Sequence, residues 1–472
     1  MLRELPIDSE WIRPPAVAGT WYPDQPKELA RLIDGYLKQV RPVDGMPAAL
    51  IVPHAGYRYS GPVAAHGFKQ LEAANIDTAV LIASDHQPPI SRPISVWAKG
   101  GYETPFGVLP VNEELAGRLI DHDERIRFDP ETHAHEHSIE IELPFLKQVC
   151  PDCRIIPVMI GRPDDGTARV LAEALLEVLP PEGVVIIASS DLSHYPPYEY
   201  AREVDEATLS AIELGEPAEL RRVIQGNMAK GIPNLATCAC GEVPIRVAMQ
   251  VASGQGADRV SLLSYSNSGD VENGDRARVV GYGAVMFWHY ETPALTMDQQ
   301  SMLLNLAREA VAAQLHTGEA PQDPLTGPEF ERLSAVFVTL RLGAKLRGCI
   351  GQVRADTPLY QAVREKAIAA ATGDPRFPSL QEHELSELTY EISILSPLDR
   401  ITSERQVEVG THGVALRRGN RRAVLLPKVA ADRDWESRML LENLYVKAGL
   451  PADGWKDPAG LYRFTTIEIK EG

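Results

Sequence analysis

Apolar positions in the first part of the chain fall into short unbroken runs. Ala49-Leu50-Ile51-Val52, Val80-Leu81-Ile82-Ala83, Arg154-Ile-Ile-Pro-Val-Met-Ile160 and the run from Val184 to Ala188 are the clearest. Runs this short, rich in Val and Ile and uninterrupted by polar residues, predict strands buried on both faces, as in a parallel sheet. Helical spacing appears between them, most plainly from Ala168 to Leu179, which also holds good helix formers. The pattern further predicts a long helix from about Arg202 to Ile224. Late strands follow at Val260 to Ser266 and Val279 to Phe287, with Gly281-Tyr282-Gly283 in an inner strand. Residues 1–25, rich in Pro and Trp, read as irregular. Strands alternating with helices predict an α/β domain, a mostly parallel or mixed sheet between helices.

The pattern changes at residues 290–296, where a Pro interrupts a stretch without periodicity. Thr296 and Gln299 then form the Thr-x-x-Gln of a capping box. Leu303, Leu306, Ala310 and Ala313 continue one helical face, and Gly318 is a plausible stop. Beyond it, strands at Ala335–Leu340, Tyr390–Leu395 and Ala423–Leu426 mix with helices at Leu359–Ala371 and Trp435–Ala448. The expectation is two domains, residues 10–291 and an α+β domain at 296–470, with no internal repeat.

Charge and cysteine content narrow the class. The net charge of -18 is concentrated in residues 1–292, which carry -16 against -2 for the remainder. An acidic first domain argues against nucleic-acid binding there, because phosphate contacts need clustered cations. The basic group Arg417, Arg418, Arg421 and Arg422 reads as a polar hairpin around Gly419-Asn420. No apolar run is long enough to span a membrane. The opening residues lack a signal-peptide core, so the cytoplasm is the expected compartment. Five cysteines make no disulfide framework. Cys150-Pro-Asp-Cys153 has no second pair at metal-binding spacing and reads as structural.

Three of the apolar runs end in polar turns bearing histidine: Pro53-His54-Ala55-Gly56, Ser84-Asp85-His86 and Ser189-Ser190-Asp191-Leu192-Ser193-His194. Ligands in α/β sheets sit at the carboxyl ends of strands, so these turns predict one site assembled from distant segments. Imidazoles together with a thiol such as Cys240, beside Gly241, would suit Fe(II), Cu(I) or Zn(II). Asp191 could orient His194 as an acid–base group, and His137 is a further catalytic candidate. His133 and His135, in a polar loop, read as solvent-exposed. In the second domain Leu346-Arg347-Gly348-Cys349-Ile350-Gly351 places a thiol in a tight turn, where Arg347 would favour the thiolate; a buried cysteine is the alternative.

Four segments carry a resemblance across residues 10–290: Arg13-Pro-Pro-Ala-Val-Ala-Gly-Thr-Trp-Tyr-Pro23, Pro53-His-Ala-Gly-Tyr-Arg-Tyr-Ser-Gly61, Glu136-His-Ser-Ile-Glu-Ile-Glu-Leu-Pro-Phe145 and Ser189-Ser-Asp-Leu-Ser-His194. These resemble the Memo family. The resemblance implies the fold of class III extradiol dioxygenases, non-haem iron enzymes that use two His and a carboxylate, with a cysteine in the carboxylate's place. It implies a redox-active pocket holding iron or copper, with His54, His86 and Cys240 as ligands and Asp191 and His194 in the pocket. This chain has Ala83-Ser84-Asp85-His86 where the family usually has Gly-Pro-Ser/Asn-His. That adds Asp85 as a further possible ligand, and Cys238 is an alternative thiol. Leu346-Arg-Gly-Cys-Ile-Gly351, Asp374-Pro-Arg-Phe-Pro378, Glu391-Ile-Ser-Ile-Leu-Ser396, His412-Gly-Val414 and Leu425-Leu-Pro-Lys-Val-Ala430 resemble the AMMECR-type domain, pointing to Cys349, Arg347, Arg376 and His412. The pair implies the AmmeMemoRadiSam system, with a separate radical S-adenosylmethionine protein as partner. The expected function is a metal-dependent, dioxygenase-like oxidoreductase acting on a small molecule or peptide. The alternatives are an inactive metal- or protein-binding scaffold, and peptide or phosphate recognition by Arg347 and Arg376.

Overall fold

The computed structural model describes residues 9–471 apart from 44, 88–92, 165, 291–293, 320–324, 419–420 and 457–459. The chain divides into two compact units, residues 1–289 and 290–472.

In the first unit the uninterrupted apolar runs form the centre of an eight-stranded mixed sheet. Met46–Val52, Val184–Ser189, Thr78–Ser84 and Arg154–Ile160 lie side by side and parallel, in that order. Gly281–His289 and Arg259–Asn267 continue it antiparallel beyond Met46–Val52. Ile94–Val96 pairs antiparallel on the other side, and Ile126–Arg127 ends the sheet. Leu50, Val80, Ile82, Ile156 and Ile187 are fully buried, each contributing about 1.5–3 kcal/mol of apolar burial. Among the helices covering the sheet, Thr167–Val178 packs on Glu242–Gly254, which lies on the central strands. Sheet order sets up the site. The turns carrying His54 and His86 leave strands on either side of Val184–Ser189, so three polar strand ends meet.

Three expectations change here. The helix expected from Arg202 to Ile224 is two helices, Tyr198–Glu213 and Pro217–Met228. Gly215 adopts φ +70 between them, a left-handed turn that ends the first, and Pro217 starts the second. Residues 9–25 are not wholly irregular, since Ile12–Arg13 pairs with Gly101 and Tyr102. One disulfide is present where no framework was expected. It joins Cys150, at the end of helix Leu143–Val149, to Cys153, where the chain turns back into the sheet with the two Cα atoms 5.4 Å apart.

The second unit contains two four-stranded antiparallel sheets. The larger runs Lys345–Gly351, Ala335–Leu342, Leu388–Leu395, Thr466–Lys470. One face is apolar, with Val336, Val338, Leu340, Ile392 and Ile394 buried in a core shared with helices Met297–Thr317 and Leu359–Thr372. The first helix starts with the expected reciprocal cap of Thr296 and Gln299 and stops at Gly318, φ +76. The smaller sheet runs Asp399–Arg400, Leu461–Phe464, Gly413–Arg418, Arg421–Leu425 and packs on helix Ser437–Lys447. Its last two strands are the expected hairpin; the turn residues Gly419 and Asn420 lie outside the described residues.

Candidate metal centre

His54, His86 and His137 converge. Their ring centroids are 5.3, 5.5 and 5.1 Å apart in pairs. Each offers a nitrogen within 4.8 Å of the others. His54 and His86 each follow a central strand by two residues, whereas His137 comes from the segment before Glu140–Glu142.

Hydrogen bonds fix which nitrogen each ring presents. Glu136 is a buried carboxylate whose Oε1 lies 3.2 Å from His86 Nδ1 and 3.0 Å from His137 Nδ1 and accepts from the backbone N–H of His137 and Ser138. Its Oε2 accepts from the backbone N–H of His86 at 2.7 Å. Burial alone would raise this carboxyl. The hydrogen bonds from His137 and His86 outweigh that and hold it far below the usual range. A carboxylate only accepts, so both rings carry a proton on Nδ1 and leave Nε2 for a ligand.

The same accounting settles His54. Its Nδ1 lies 2.8 Å from Ser189 Oγ, which is also 2.7 Å from the Ser138 carbonyl and 2.7 Å from Glu142 Oε1. Ser189 has one proton, and a carbonyl can only accept, so the proton goes to Ser138. Glu142 and His54 must then both donate to Ser189 Oγ, which has two lone pairs. Glu142 is therefore a neutral acid, in keeping with burial raising its pKa well above the ordinary value. His54 too presents Nε2.

Cys240 completes the surroundings. Its Sγ is 3.3 Å from His54 Nε2, and it hydrogen-bonds His86. Gly241 lets this turn approach closely: a Cβ there would lie 2.6 Å from Ser190 Cβ, while its N–H donates to Ser190 Oγ at 2.8 Å. Burial opposes charge on His86, but Cys240 and Glu136 outweigh it and raise the imidazole to about 10. The group therefore holds a proton that a bound cation would displace. Three imidazole nitrogens and a neighbouring thiol make a donor set that fits a borderline or soft transition metal.

The expected set is regrouped. His137, read as a catalytic candidate, lies in the imidazole triad, and Cys240 adjoins it. Asp191 does not orient His194. Its Oδ1 accepts from the backbone N–H of His54 at 2.8 Å, clamping that turn, and burial raises its pKa to about 7. His194 instead donates Nδ1–H to the Leu192 carbonyl at 3.1 Å, leaving Nε2 as the basic nitrogen, with its ring close enough to His54 to repel its charge. Asp85 Oδ1 accepts from the backbone N–H of Gln87. Cys238 is fully buried, away from solvent. His133 is also buried, correcting the expectation of exposure; it lies 2.6 Å from the Tyr102 hydroxyl and 3.0 Å from Ser95 Oγ, and burial and then Arg13 lower its pKa to about 3. His135 is exposed.

Sequence reasoning missed the roles of Glu136, Ser189 and Glu142, although all three lie inside the quoted histidine-bearing segments. It also missed the buried ion pair of Arg13 with Glu140. Glu140 further accepts from the backbone N–H of Val17 and from the Tyr22 hydroxyl, tying down the N-terminal segment. That segment brings Trp21, 39% exposed, to 4.4 Å from the His137 ring.

In the second unit Cys349 is half-buried on an edge strand, its Sγ accepting from Thr339 Oγ1 at 3.3 Å. Arg347 does not serve the thiol; both its Nε and Nη2 go to Glu384. Arg376 donates to the Cys349 carbonyl and pairs with Asp374, which accepts from the Cys349 N–H. His412 Nδ1 accepts from the Glu408 N–H. The glycines flanking Cys349 answer to packing, since a Cβ on Gly348 would lie 2.1 Å from the Ala370 carbonyl oxygen.

Fold and pocket together define a two-unit protein whose first unit is an α/β sandwich with an imidazole-rich pocket at its strand ends. Residues 13–286 match the model of the Memo-like protein family, and residues 304–469 match that of AMMECR1. The chain belongs to the Memo family and carries an AMMECR1 domain after it. A MEMO1 family protein of Aquifex aeolicus is 36% identical over 279 residues, spanning 58% of this chain and 99% of that protein. One from Methanobrevibacter smithii is 34% identical over 290 residues, spanning 58% and 99%. Among solved structures, an uncharacterized protein from Pyrococcus horikoshii shares 34% identity over 37% of this chain and 92% of its own, with a TM-score of 0.36.

Proposed function

We propose that the first unit is a metal-dependent oxidoreductase of the dioxygenase-like kind, holding iron or copper through His54, His86 and His137 with Cys240 alongside. The carrying observation is that Glu136 and Ser189 hold the Nδ1 atoms of three converging histidines, leaving three Nε2 atoms for one cation. When bound, such a metal supplies redox chemistry with dioxygen or another oxidant. The chain's own residues prepare the site. Asp191 fixes the turn that carries His54. His194 Nε2 accepts a proton from substrate, with the ring aligned by the Leu192 carbonyl. Trp21 shields the His137 ring from water. The substrate is a small molecule or peptide, and a radical S-adenosylmethionine protein acts in the same process.

A scaffold reading has one observation in its favour: Cys240 would make a fourth, soft donor, and a four-donor set suits closed Cu(I) storage. Metal analysis of anaerobically purified protein separates the two, comparing wild type with His54→Ala, His137→Ala and Cys240→Ser. One equivalent of iron lost in both histidine variants, with oxygen uptake by the wild type, supports the oxidoreductase. Copper retained until Cys240 is replaced, without oxygen uptake, supports the scaffold. No transition metal in any sample overturns both.

A further inference from the structure

The larger sheet of the second unit has a face that does not look like a sheet packed inside a protein. Its register places Cys349, Thr339 and Glu391 in one row across three strands, and Phe337, Ser393 and Glu468 in the next. The reverse face is apolar but for the Tyr390 hydroxyl and packs on helices. This face is covered as well, since Phe337 joins a cluster with Ala415, Leu426 and Phe464 from the smaller sheet and the segment after it. Covered sheet faces are ordinarily apolar, yet Ser393 is 0% exposed here.

Charge accounting shows what the face lacks. Glu391 is fully engaged, accepting from Arg341 Nε at 2.8 Å and Lys428 Nζ at 2.7 Å. Arg347 and Arg376 are likewise spent on Glu384 and Asp374. Glu468 has only a share of Lys428, at 3.6 Å. Both Glu468 carboxylate oxygens and Ser393 Oγ are buried without a hydrogen-bond partner among the described residues. Ser393 and Glu468 are directly opposed on adjacent strands, so these idle atoms lie on one face side by side. Phe337, in the same row, leans the other way, over Gly351, where a Cβ would lie 2.2 Å from the ring. Buried polar atoms of this kind call for a partner. Arg341, Lys428, Arg347 and Arg376 are paired, Lys470 on the same face is exposed, and the Glu468 oxygens can only accept, so the missing group donates hydrogen bonds and tolerates, or carries, positive charge.

We propose that this face is a binding site for a primary ammonium group, of a small amine or a peptide side chain, received by Glu468 and Ser393, with the Cys349 thiol on the same face two strands further on. The site is independent of the metal centre. Its occupant donates up to three hydrogen bonds, matching the two carboxylate oxygens and one hydroxyl left idle. An anion is disfavoured there, since it would bring further acceptors to unpaired ones.

Saturation-transfer NMR on the full chain with butylammonium, butanol and butyrate tests this. The expected result is binding of butylammonium in preference to both neutral and anionic analogues, weakened roughly tenfold by Glu468→Gln, which removes a charged acceptor without changing shape. Ser393→Ala should weaken it less, and His54→Ala should leave it unchanged. Equal binding of the three probes, a preference for butyrate, or butylammonium binding that survives in both Glu468→Gln and Ser393→Ala would overturn the proposal. So would a soaked crystal showing only ordered water between Ser393 and Glu468. Should Glu468→Gln not fold, the three-probe comparison on the wild type and the Ser393→Ala variant decide alone.

Discussion

Three carboxyl groups in each unit are held in opposite ways. In the first, Asp191, Asp205 and Glu142 lie inside with hydroxyl and backbone N–H partners: Asp205, for instance, accepts from the Ser193 N–H at 2.9 Å and the Tyr265 hydroxyl at 2.8 Å. Burial raises all three, Asp191 to about 7 and Asp205 to about 6. In the second, Asp374, Glu384 and Glu391 each face an arginine or lysine, and each is lowered. Arg376 is the main cause at Asp374, held at about 2. Perturbed acids that lack a counter-ion collect where chemistry is done, whereas ion pairs at strand and turn ends mainly hold chain segments together. The contrast places proton-handling groups around the histidine triad, and in the second unit it makes Glu468, with both carboxylate oxygens buried and unpartnered, an exception to explain.

The largest test concerns the first unit's own exception, the fully buried pair of Arg13 and Glu140. Arg13→Met would strand the Glu140 carboxylate and cost about 3–5 kcal/mol in denaturant unfolding of that unit. Arg376→Met, which removes a guanidinium 55% exposed, would cost about 1 kcal/mol or less. Equal losses would break the comparison.

Acid titration should split the units next. Asp205 is raised, so its contribution is fully present below about pH 4 and fades as pH rises through about 6, a loss of roughly 2–3 kcal/mol from this group. Asp374 is lowered, so its contribution is present above about pH 4 and fades as pH falls towards about 2. Hydrogen exchange resolved by peptide, followed against pH, should show these opposite slopes, with Asp205→Asn flattening one and Asp374→Asn the other. Slopes of the same sign in both units would contradict the assignment.

A smaller effect, seen in metal affinity, comes from Glu142. If it is a neutral donor to Ser189, Glu142→Gln keeps a donor and changes affinity by no more than a few fold. Glu142→Leu removes the donor and should weaken affinity by about 10–100-fold, as loss of an outer-sphere partner does. A carbonyl stretch from a protonated carboxyl, present in wild type and absent in Glu142→Gln, is the independent check.

Much of this was legible in the sequence, for reasons that also mark the limit. The central strands announced themselves because a sheet covered on both faces needs unbroken apolar runs, and turns at their ends carried His54 and His86. Thr296 and Gln299 revealed a helix start because capping is local. What failed depended on tertiary placement. His133 sits in a polar sequence, yet the short helix Pro130–Ala134 carries it beneath Trp97 and Tyr102. Asp191 is three residues from His194 but serves His54, 137 positions away. Glu142 and Ser189 look unremarkable until the fold brings their oxygens within 2.7 Å. The Gly215 break, by contrast, was readable from Gly215-Glu216-Pro217, a stop and a start in succession.

The smallest expected effect is the most direct test of a sequence inference. Proximity in sequence made Arg347 the natural activator of Cys349, but the strand is irregular between them: Gly348 pairs with Leu340 and Leu346 with Arg341, which leaves Arg347 out of register. The guanidinium of Arg347 is committed to Glu384 and to the Pro378 carbonyl. Arg376, distant in sequence, is the cation that reaches Cys349. Alkylation of Cys349 followed by peptide mass spectrometry should therefore show a rate within about twofold of wild type for Arg347→Ala, since its charge is already paired with Glu384 and contributes little beyond that pair. Arg376→Ala should slow iodoacetate more than iodoacetamide, because only the anionic reagent is drawn by the lost cation. A larger effect from Arg347 than from Arg376 would restore the adjacency reading and remove the second unit's paired-charge arrangement as an explanation of this site.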